Sequence, residues 1–341
     1  MPKSFVLQSL CGAALLASLP AVAQAQSVEQ FYKGKNINLY IGYATGGGYD
    51  FFGRLTARHM GRHIPGNPTI IPQNMPGAGS LKAANYLYAV APKDGSALGI
   101  ITQSVAIEEA LGTQGVQYKS AQFNWVGRVT SNVEITMMWH TSKVQSIEDA
   151  KKISAPVAGT GPGSPAEVFP KILNAVVGTK FKVITGYPGS NDGLIAMERG
   201  ETDGALTSWN TTKTSKKAWL DDKKIKLIVQ YAPERHPELP DVPTAVELAK
   251  TPEQKQVLEL FVSGASIGRS ILTTPGVPAD RLKALRDAFD AMTKDKVFLD
   301  EVEKTKAEFD PLSGEKLQAV VVGASKIPPD VLKLAKEARG N

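Results

Sequence analysis

From residue 37 onward, short extended apolar runs alternate along the chain with runs that have helical spacing. Residues 37–43 (INLYIGY), 68–73 and 97–102 predict three buried strands. A helix is predicted after the first strand, beginning near residues 49–50 and ending at Pro65. This alternation of strands and helices predicts an α/β fold rather than an all-β fold or a helical bundle.

The middle of the chain has the same arrangement without repeating the sequence. Strands are predicted over residues 156–158, 181–185 and 204–206. After the first of these, Ser164 is predicted as a helix N-cap, with Pro165 at the first helical position and Glu167 completing a capping box. Further along, the pattern predicts a strand over 267–273, an amphipathic helix opened by Pro278 and a last helix over 330–339.

Each of the first six predicted strands ends in a small polar or glycine-rich loop. In open α/β sheets ligands bind at the carboxyl ends of the strands, so these loops predict where a site lies. The loop Gly46-Gly47-Gly48 precedes a helix, and it allows a backbone to approach an anion closely at the positive end of a helix dipole.

The first 25 residues have the layout of a secretory signal peptide. Lys3 precedes an uncharged apolar run over residues 5–19, and a small-residue stretch of the A-x-A type follows at 21–25. We therefore expect export to the periplasm, with Gln26 as the mature start. The single cysteine, Cys11, lies in this segment, which excludes disulfides, cysteine nucleophiles and thiolate metal sites from the mature chain.

Size and charge add two constraints. A chain of 341 residues usually divides into two domains. The formal net charge is +6, with basic residues scattered among acidic ones, so the surface mildly favours anions and has no nucleic-acid module. No cofactor is expected, because a dinucleotide fingerprint and a phosphate-binding loop are both missing from the sequence.

Two motifs suggest other chemistry. Residues 264–268 (GASIG) match the nucleophile elbow of serine hydrolases, with Ser266 as the nucleophile. That elbow needs a strand before it and a helix immediately after it, whereas residues 269–273 are predicted to be extended and lead into Pro275. His59 and His63 have the spacing of a two-histidine metal site without the zincin glutamate, and we interpret them as the solvated end of a helix. No metal and no catalytic residue is expected.

Several motifs together resemble one protein family. They are the strand followed by GGG-x-D, the Asn-x-Pro-Gly-Ala-Gly segment at 74–79, Asp94-Gly95, Gly-Glu-Thr-Asp at 200–203 and the late turn at 275–278. The chain resembles the periplasmic receptors of tripartite tricarboxylate transporters, the Bug-type binding proteins. The resemblance runs over essentially the whole mature chain, and the segment at 74–79 is its most specific part.

The resemblance implies a two-lobed Venus flytrap of α/β domains, with the ligand cleft between the lobes. We expect a signal peptide over 1–25, a first lobe over 26–127 and 268–341, and a second lobe over 128–267. The receptor would capture a small organic carboxylate, act as a monomer and deliver the ligand to membrane permease subunits. A sensor that acts on a membrane signalling partner, or an exported hydrolase, are the alternatives.

Carried over by position, the ligand-binding residues lie on loops of both lobes. From the first lobe they are Tyr43, Thr45, Gly46, Gly47, Gly48, Asp50, Gly77, Ala78, Gly79, Ser80, Gln103 and Ser104. From the second lobe they are Thr160, Gly161, Ser164, Tyr187, Gly189, Ser190, Trp209 and Asn210.

The chain departs from the family pattern at Ala44-Thr45, where prolines are frequent. Because the glycine loops hold no Arg or Lys, we expect backbone N–H groups, hydroxyls and helix dipoles to meet the carboxylate. Arg128 and Arg269 are the nearest candidates for a supporting charge.

Overall fold

The computed structural model describes residues 26–339, and within them two separate β-sheets form the centres of two lobes. The predicted signal peptide lies outside the described residues. The two-lobed α/β architecture agrees with the expected fold class. None of the described helices is long and apolar enough to cross a membrane.

The sheet of the first lobe is mixed. Its strands are β1 (Asn36–Ile41), β2 (Thr69–Asn74), β3 (Ala97–Ile100), β4 (Asn124–Thr130), β10 (Arg269–Thr273) and β11 (Leu312–Ser313). Their order is β11-β4-β10-β3-β1-β2. The strands β1, β2 and β3 are parallel, so the loops that follow them emerge at the same edge.

The sheet of the second lobe is built in the same way. Its strands are β5 (Glu134–Trp139), β6 (Ala155–Ala158), β7 (Phe181–Ile184), β8 (Gly204–Ser208) and β9 (Ile225–Tyr231). Their order is β7-β6-β8-β5-β9, with β6, β7 and β8 parallel. The three predicted loops of this lobe therefore also gather at one edge.

Helices surround both sheets. The first half of the chain contributes α1 (Val28–Tyr32), α2 (Gly48–Met60), α3 (Leu81–Ala89), α4 (Val105–Leu111), α5 (Ile147–Lys152), α6 (Pro165–Val177) and α7 (Ser190–Glu198). The second half contributes α8 (Trp209–Ser215), α9 (Lys217–Asp221), α10 (Pro252–Val262), α11 (Ala279–Met292), α12 (Lys296–Thr305), α13 (Gly314–Ala324) and α14 (Pro329–Arg339).

The chain passes between the sheets at two adjacent places. It leaves β4 at Thr130 and begins β5 at Glu134, and it returns through Gly268 into β10. The crossings touch, since the Asn132 backbone N–H donates to the Ala265 carbonyl at 3.0 Å. The lobe limits at 128 and 268 remain a prediction.

The last helix packs away from the first sheet. Residues of α14, including Leu332 and Ala335, lie in the apolar core that Phe169, Leu258 and Phe261 form in the second lobe. Ile107 and Leu111 of α4 join the same core. Helices α4 and α14 therefore connect the two lobes.

Candidate functional site

A cavity lies between the lobes where the two sets of loops meet. Its volume is about 30 Å³. It is lined by Tyr43, Gly47, Gly48, Tyr49, Glu134, Thr160, Ser164, Pro165, Ala166, Ser190, Leu206, Thr207 and Arg269. This volume is small beside the roughly 300–1,000 Å³ of pockets that hold drug-sized ligands.

Backbone hydrogen bonds join the lobes around the cavity. The N–H of Gly79 donates to the Thr160 carbonyl at 3.1 Å, and the N–H of Gly163 donates to the Ala78 carbonyl at 3.3 Å. On the other side, the N–H of Ala44 donates to the Pro188 carbonyl at 3.2 Å. The loops therefore meet in a closed arrangement of the lobes.

Three helices begin at the wall of this cavity, namely α2 after Gly47, α6 after Ser164 and α7 after Gly189. None of these N-caps supplies a side-chain hydrogen bond to its helix. The first N–H groups of a helix lack intrahelical partners and carry partial positive charge. The cavity wall therefore favours an anion.

The hydrogen bonds of the predicted capping box at Ser164 do not form, although the helix begins where predicted. The Ser164 hydroxyl donates to the Gly161 carbonyl at 2.9 Å instead of capping α6. The Glu167 carboxylate bonds Lys171 and Thr185, both at 2.7 Å. The competing partner for the hydroxyl lies in the loop that touches the first lobe.

Arg269 brings a full positive charge to the cavity. Its side chain is 3% exposed, and its guanidinium carbon lies 3.9 Å from the centroid of the Tyr49 ring. The Nη2 atom is 3.4 Å from Glu134 Oε1, while Nε and Nη1 have no hydrogen-bond partner among the described residues. A buried guanidinium with two free nitrogens has unused capacity to bind an anion.

Aromatic and amide groups hold this arrangement in place. The Tyr43 and Tyr49 rings stack with centroids 4.7 Å apart, and the Tyr49 hydroxyl accepts a bond from the Gln103 N–H at 2.8 Å. Burial raises the pKa of both tyrosines, so the phenols stay neutral beside a bound anion. Asn132 Nδ2 donates to Gln103 Oε1 at 2.6 Å and to Glu134 Oε1 at 2.7 Å.

Known proteins share this fold over most of the chain. The periplasmic binding protein BugD superposes with a TM-score of 0.71 at 21% identity, covering 90% of this chain and 98% of BugD. The R. palustris protein Rpa4515 with adipate has a TM-score of 0.69 at 20% identity, over 89% and 97% of the two chains. MatC from Rhodopseudomonas palustris with bound malate has a TM-score of 0.65 at 19% identity, over 88% and 99%.

The chain has the fold of the Bug-type periplasmic binding proteins.

Curated relatives match a smaller share of the chain. The UPF0065 protein in the gbd 5' region of Cupriavidus necator is 25% identical over 250 residues, covering 68% of this chain and 69% of that protein. The UPF0065 protein in the tcbD-tcbE intergenic region of Pseudomonas sp. (strain P51) is 23% identical over 245 residues, covering 70% of each. No family model matches the chain.

Within this Bug-type fold, six of the residues selected from sequence line the cavity: Tyr43, Gly47, Gly48, Thr160, Ser164 and Ser190. Four more lie in the loops that meet across it: Gly77, Ala78, Gly79 and Gly161. Gly189 lies against Ala44 of the facing loop, while Thr45 and Gly46 are exposed at the rim.

The other selected residues do not line the cavity. Most of them form hydrogen bonds that hold the neighbouring loops and helices in place. Asp50 accepts from the Gly46 N–H at 3.0 Å, and the Ser80 hydroxyl accepts from the Thr102 N–H at 3.2 Å. Trp209 donates its indole N–H to Glu238, and Asn210 Oδ1 accepts from the Glu308 N–H at 2.7 Å. Gln103 bonds Asn132, Ser104 begins α4 and Tyr187 is half-buried.

Glu134 was missed from sequence, and Arg269 was expected only as a supporting charge. Both follow a crossing between the lobes, Glu134 at the start of β5 and Arg269 at the start of β10. Glu134 carried no signal in the sequence, because β5 was not predicted, whereas Arg269 lay in the predicted strand 267–273 near an expected crossing. Arg128, the other candidate, instead bonds the Ser266 carbonyl at 2.6 Å and Asp310 at 2.7 Å.

The other motifs lie elsewhere. Ser266 follows α10 and precedes β10, the reverse of a nucleophile elbow, and its hydroxyl donates to the Ser263 carbonyl at 2.7 Å. The interpretation of His59 as solvated is wrong: it is 4% exposed, because Glu301 of α12 binds it at 2.5 Å. His63, just after α2, bonds Asp295 at 2.9 Å, so both histidines bond the segment around α12.

Proposed function

We propose that this protein is an extracytoplasmic solute receptor that captures a small organic carboxylate between its lobes and delivers it to a tripartite tricarboxylate transporter permease. The proposal includes export through a cleaved signal peptide over residues 1–25 and function in the periplasm. It includes no chemical change of the ligand.

The observation that carries the proposal is the Arg269 guanidinium, buried in the interlobe cavity with two nitrogens lacking an acceptor. A carboxylate is the planar acceptor that suits a guanidinium best. The helix starts at Gly47, Ser164 and Gly189 add partial positive charge from both lobes. Proteins of the same fold are described with bound adipate and malate, which supports an organic acid here.

Arg269 changes the expected mode of binding. The sequence predicted an anion held by backbone N–H groups, hydroxyls and helix dipoles. In the proposed site Arg269 belongs to the first lobe, as do Gly47 and Gly48, while Ser164 and Ser190 approach from the second. A ligand held by both lobes stabilises the closed arrangement, because those contacts exist together only when the lobes meet.

A thermal-shift screen of the mature protein, residues 26–341, tests the proposal. Aliphatic and aromatic carboxylates are compared with their neutral amides at equal concentration. We expect acids of one shape to raise the melting temperature, because a ligand of the native state stabilises it by about 2.7 kcal/mol at a hundred times its Kd. Equal shifts with the amides, or no shift with any acid after refolding from denaturant to remove copurified ligand, would contradict the proposal.

A further inference from the structure

The Glu134 carboxylate lies in the cavity without a complete set of partners. Its side chain is 6% exposed. Its Oε1 atom accepts from Asn132 Nδ2 at 2.7 Å, and the nearest Arg269 nitrogen is 3.4 Å away from the same oxygen. Among residues 26–339 no group donates a hydrogen bond to Oε2. A carboxylate accepts about four hydrogen bonds when ionised, so Glu134 has capacity left.

The position of Glu134 makes this capacity available to a ligand. Glu134 comes from β5 of the second lobe and Arg269 from β10 of the first, and both line the cavity. A ligand carboxylate bound to Arg269 therefore shares the cavity with a group that repels a second carboxylate. The same group attracts a donor carried on a neighbouring atom of the ligand.

Building on the proposed function, we propose that Glu134 accepts a hydrogen bond from a donor close to the ligand carboxylate, so that the preferred ligands are 2-amino or 2-hydroxy acids. The cavity then presents one cation and one anion to a ligand with matching groups in adjacent positions. The free Arg269 nitrogens receive the carboxylate, and Glu134 receives the ammonium or hydroxyl group.

The specificity follows from the cost of unpaired buried groups. An acid without the donor leaves Glu134 desolvated and adds a second negative charge beside it, whereas a donor-bearing acid satisfies the carboxylate. An ammonium also offsets the negative charge, and a hydroxyl does not. We therefore expect the preference for the 2-amino acid to depend on the charge of Glu134, and the preference for the 2-hydroxy acid to depend on its acceptor oxygen.

The test uses two series of acids, and within each series the acids differ only in the 2-substituent. The monocarboxylate series is L-alanine, L-lactate and propionate. The dicarboxylate series is L-aspartate, L-malate and succinate. Their dissociation constants are measured by calorimetry on the wild-type protein and on Glu134→Gln. Glu167→Gln serves as the control, since Glu167 is also a buried carboxylate but is bonded to Lys171 and Thr185 and does not line the cavity.

In at least one series, we expect the wild type to bind the amino or hydroxy acid about tenfold or more tightly than the unsubstituted acid, since a hydrogen bond to a charged group is worth that factor. Glu134→Gln should remove the preference for the amino acid, and Glu167→Gln should keep it. Equal wild-type affinity for substituted and unsubstituted acids would overturn the role of Glu134 and leave the receptor function intact. Failure of every carboxylate, including those of the wider thermal-shift screen, would contradict the receptor function itself.

Equal wild-type affinities would overturn the inference even if Glu134→Gln folds poorly, because that comparison needs no variant. If Glu134→Gln folds and retains the wild-type preference for the amino acid, the assignment to Glu134 is wrong.

Discussion

At the residue scale, the site depends on side chains that are distant in sequence and on glycines that let two loops touch. Arg269 and Glu134 are separated by 135 positions, and no local pattern connects them. The glycine loops could be predicted because a strand, a turn and a helix start are local features. Which charge enters the cavity depends on how the lobes close, and that is a tertiary property.

Gly161 offers a test of the loop contact. A Cβ at Gly161 would lie 2.6 Å from the Gly79 nitrogen of the other lobe, and its φ of +118° favours glycine. We predict that Gly161→Ala weakens binding of the best acid from the thermal-shift screen at least about tenfold, because the closed arrangement clashes. Calorimetry measures the affinity, and small-angle scattering shows whether the liganded protein still becomes compact.

Gly178→Ala is the matched control for Gly161→Ala. Gly178 also has a positive φ, +83°, but nothing lies within 4 Å of a Cβ built there. The backbone strain of about 1–2 kcal/mol should therefore appear in the unfolding free energy of this variant without a change in affinity beyond about threefold. Wild-type affinity in Gly161→Ala would show that the loops need not meet for binding.

At the element scale, the start of helix α6 was predicted correctly, but its capping hydrogen bond was not. The sequence placed the start of α6 at Ser164–Pro165, as observed, because Ser and Pro favour these positions through local geometry. The capping bond did not form, since the Gly161 carbonyl competes for the hydroxyl. The strands β4, β5, β9 and β11 were not predicted, since they lack the strand-then-loop pattern that identified the first six predicted strands.

Helix α14 shows how a terminal element can stabilise two lobes. Arg339 Nη1 lies 2.8 Å from Glu108 Oε2 of α4, and Arg339 Nη2 donates to the Pro162 carbonyl at 2.9 Å. Glu108 is fully buried, and this burial raises its pKa although Arg339 opposes the change. Arg339 therefore compensates a buried negative charge.

We predict that Arg339→Met lowers the unfolding free energy by about 3 kcal/mol at pH 7.5, because one partner of a buried pair is left alone. Burial keeps the folded pKa of Glu108 above its unfolded value of about 4.3. A group with a raised folded pKa stabilises the fold below its unfolded pKa and loses this stability as the pH rises through its folded pKa. The loss caused by Arg339→Met should therefore shrink as the pH falls from 7.5 towards 5 in urea denaturation.

Arg235→Met is the control, since Arg235 pairs with Glu247 at 3.0 Å on an exposed surface. Exposed pairs contribute about 0–1 kcal/mol, so this variant should lose little stability. A loss in Arg339→Met that stays constant or grows as the pH falls would contradict the role given to Glu108.

At the scale of the whole molecule, four apolar clusters, two neighbouring crossings and the bridging helices α4 and α14 hold the lobes without a disulfide. The alternation of strands and helices predicted the α/β class, and the family resemblance predicted the two-lobed arrangement. The exact crossings were harder to predict, because β4 continues as a strand through Arg128 to Thr130. Arg269 and Glu134 lie beside these crossings, at the starts of β10 and β5.

The central claim is that a carboxylate binds between the lobes on Arg269. Calorimetric titration of Arg269→Met with the best acid of the thermal-shift screen tests it most directly. Arg128→Met is the matched control, since Arg128 is also buried beside the crossings but does not line the cavity. We predict at least about thirtyfold weaker binding in Arg269→Met, as expected for a buried charged pair, and a change within about threefold in Arg128→Met. Wild-type affinity in folded Arg269→Met, or equal losses in both variants, would contradict the account.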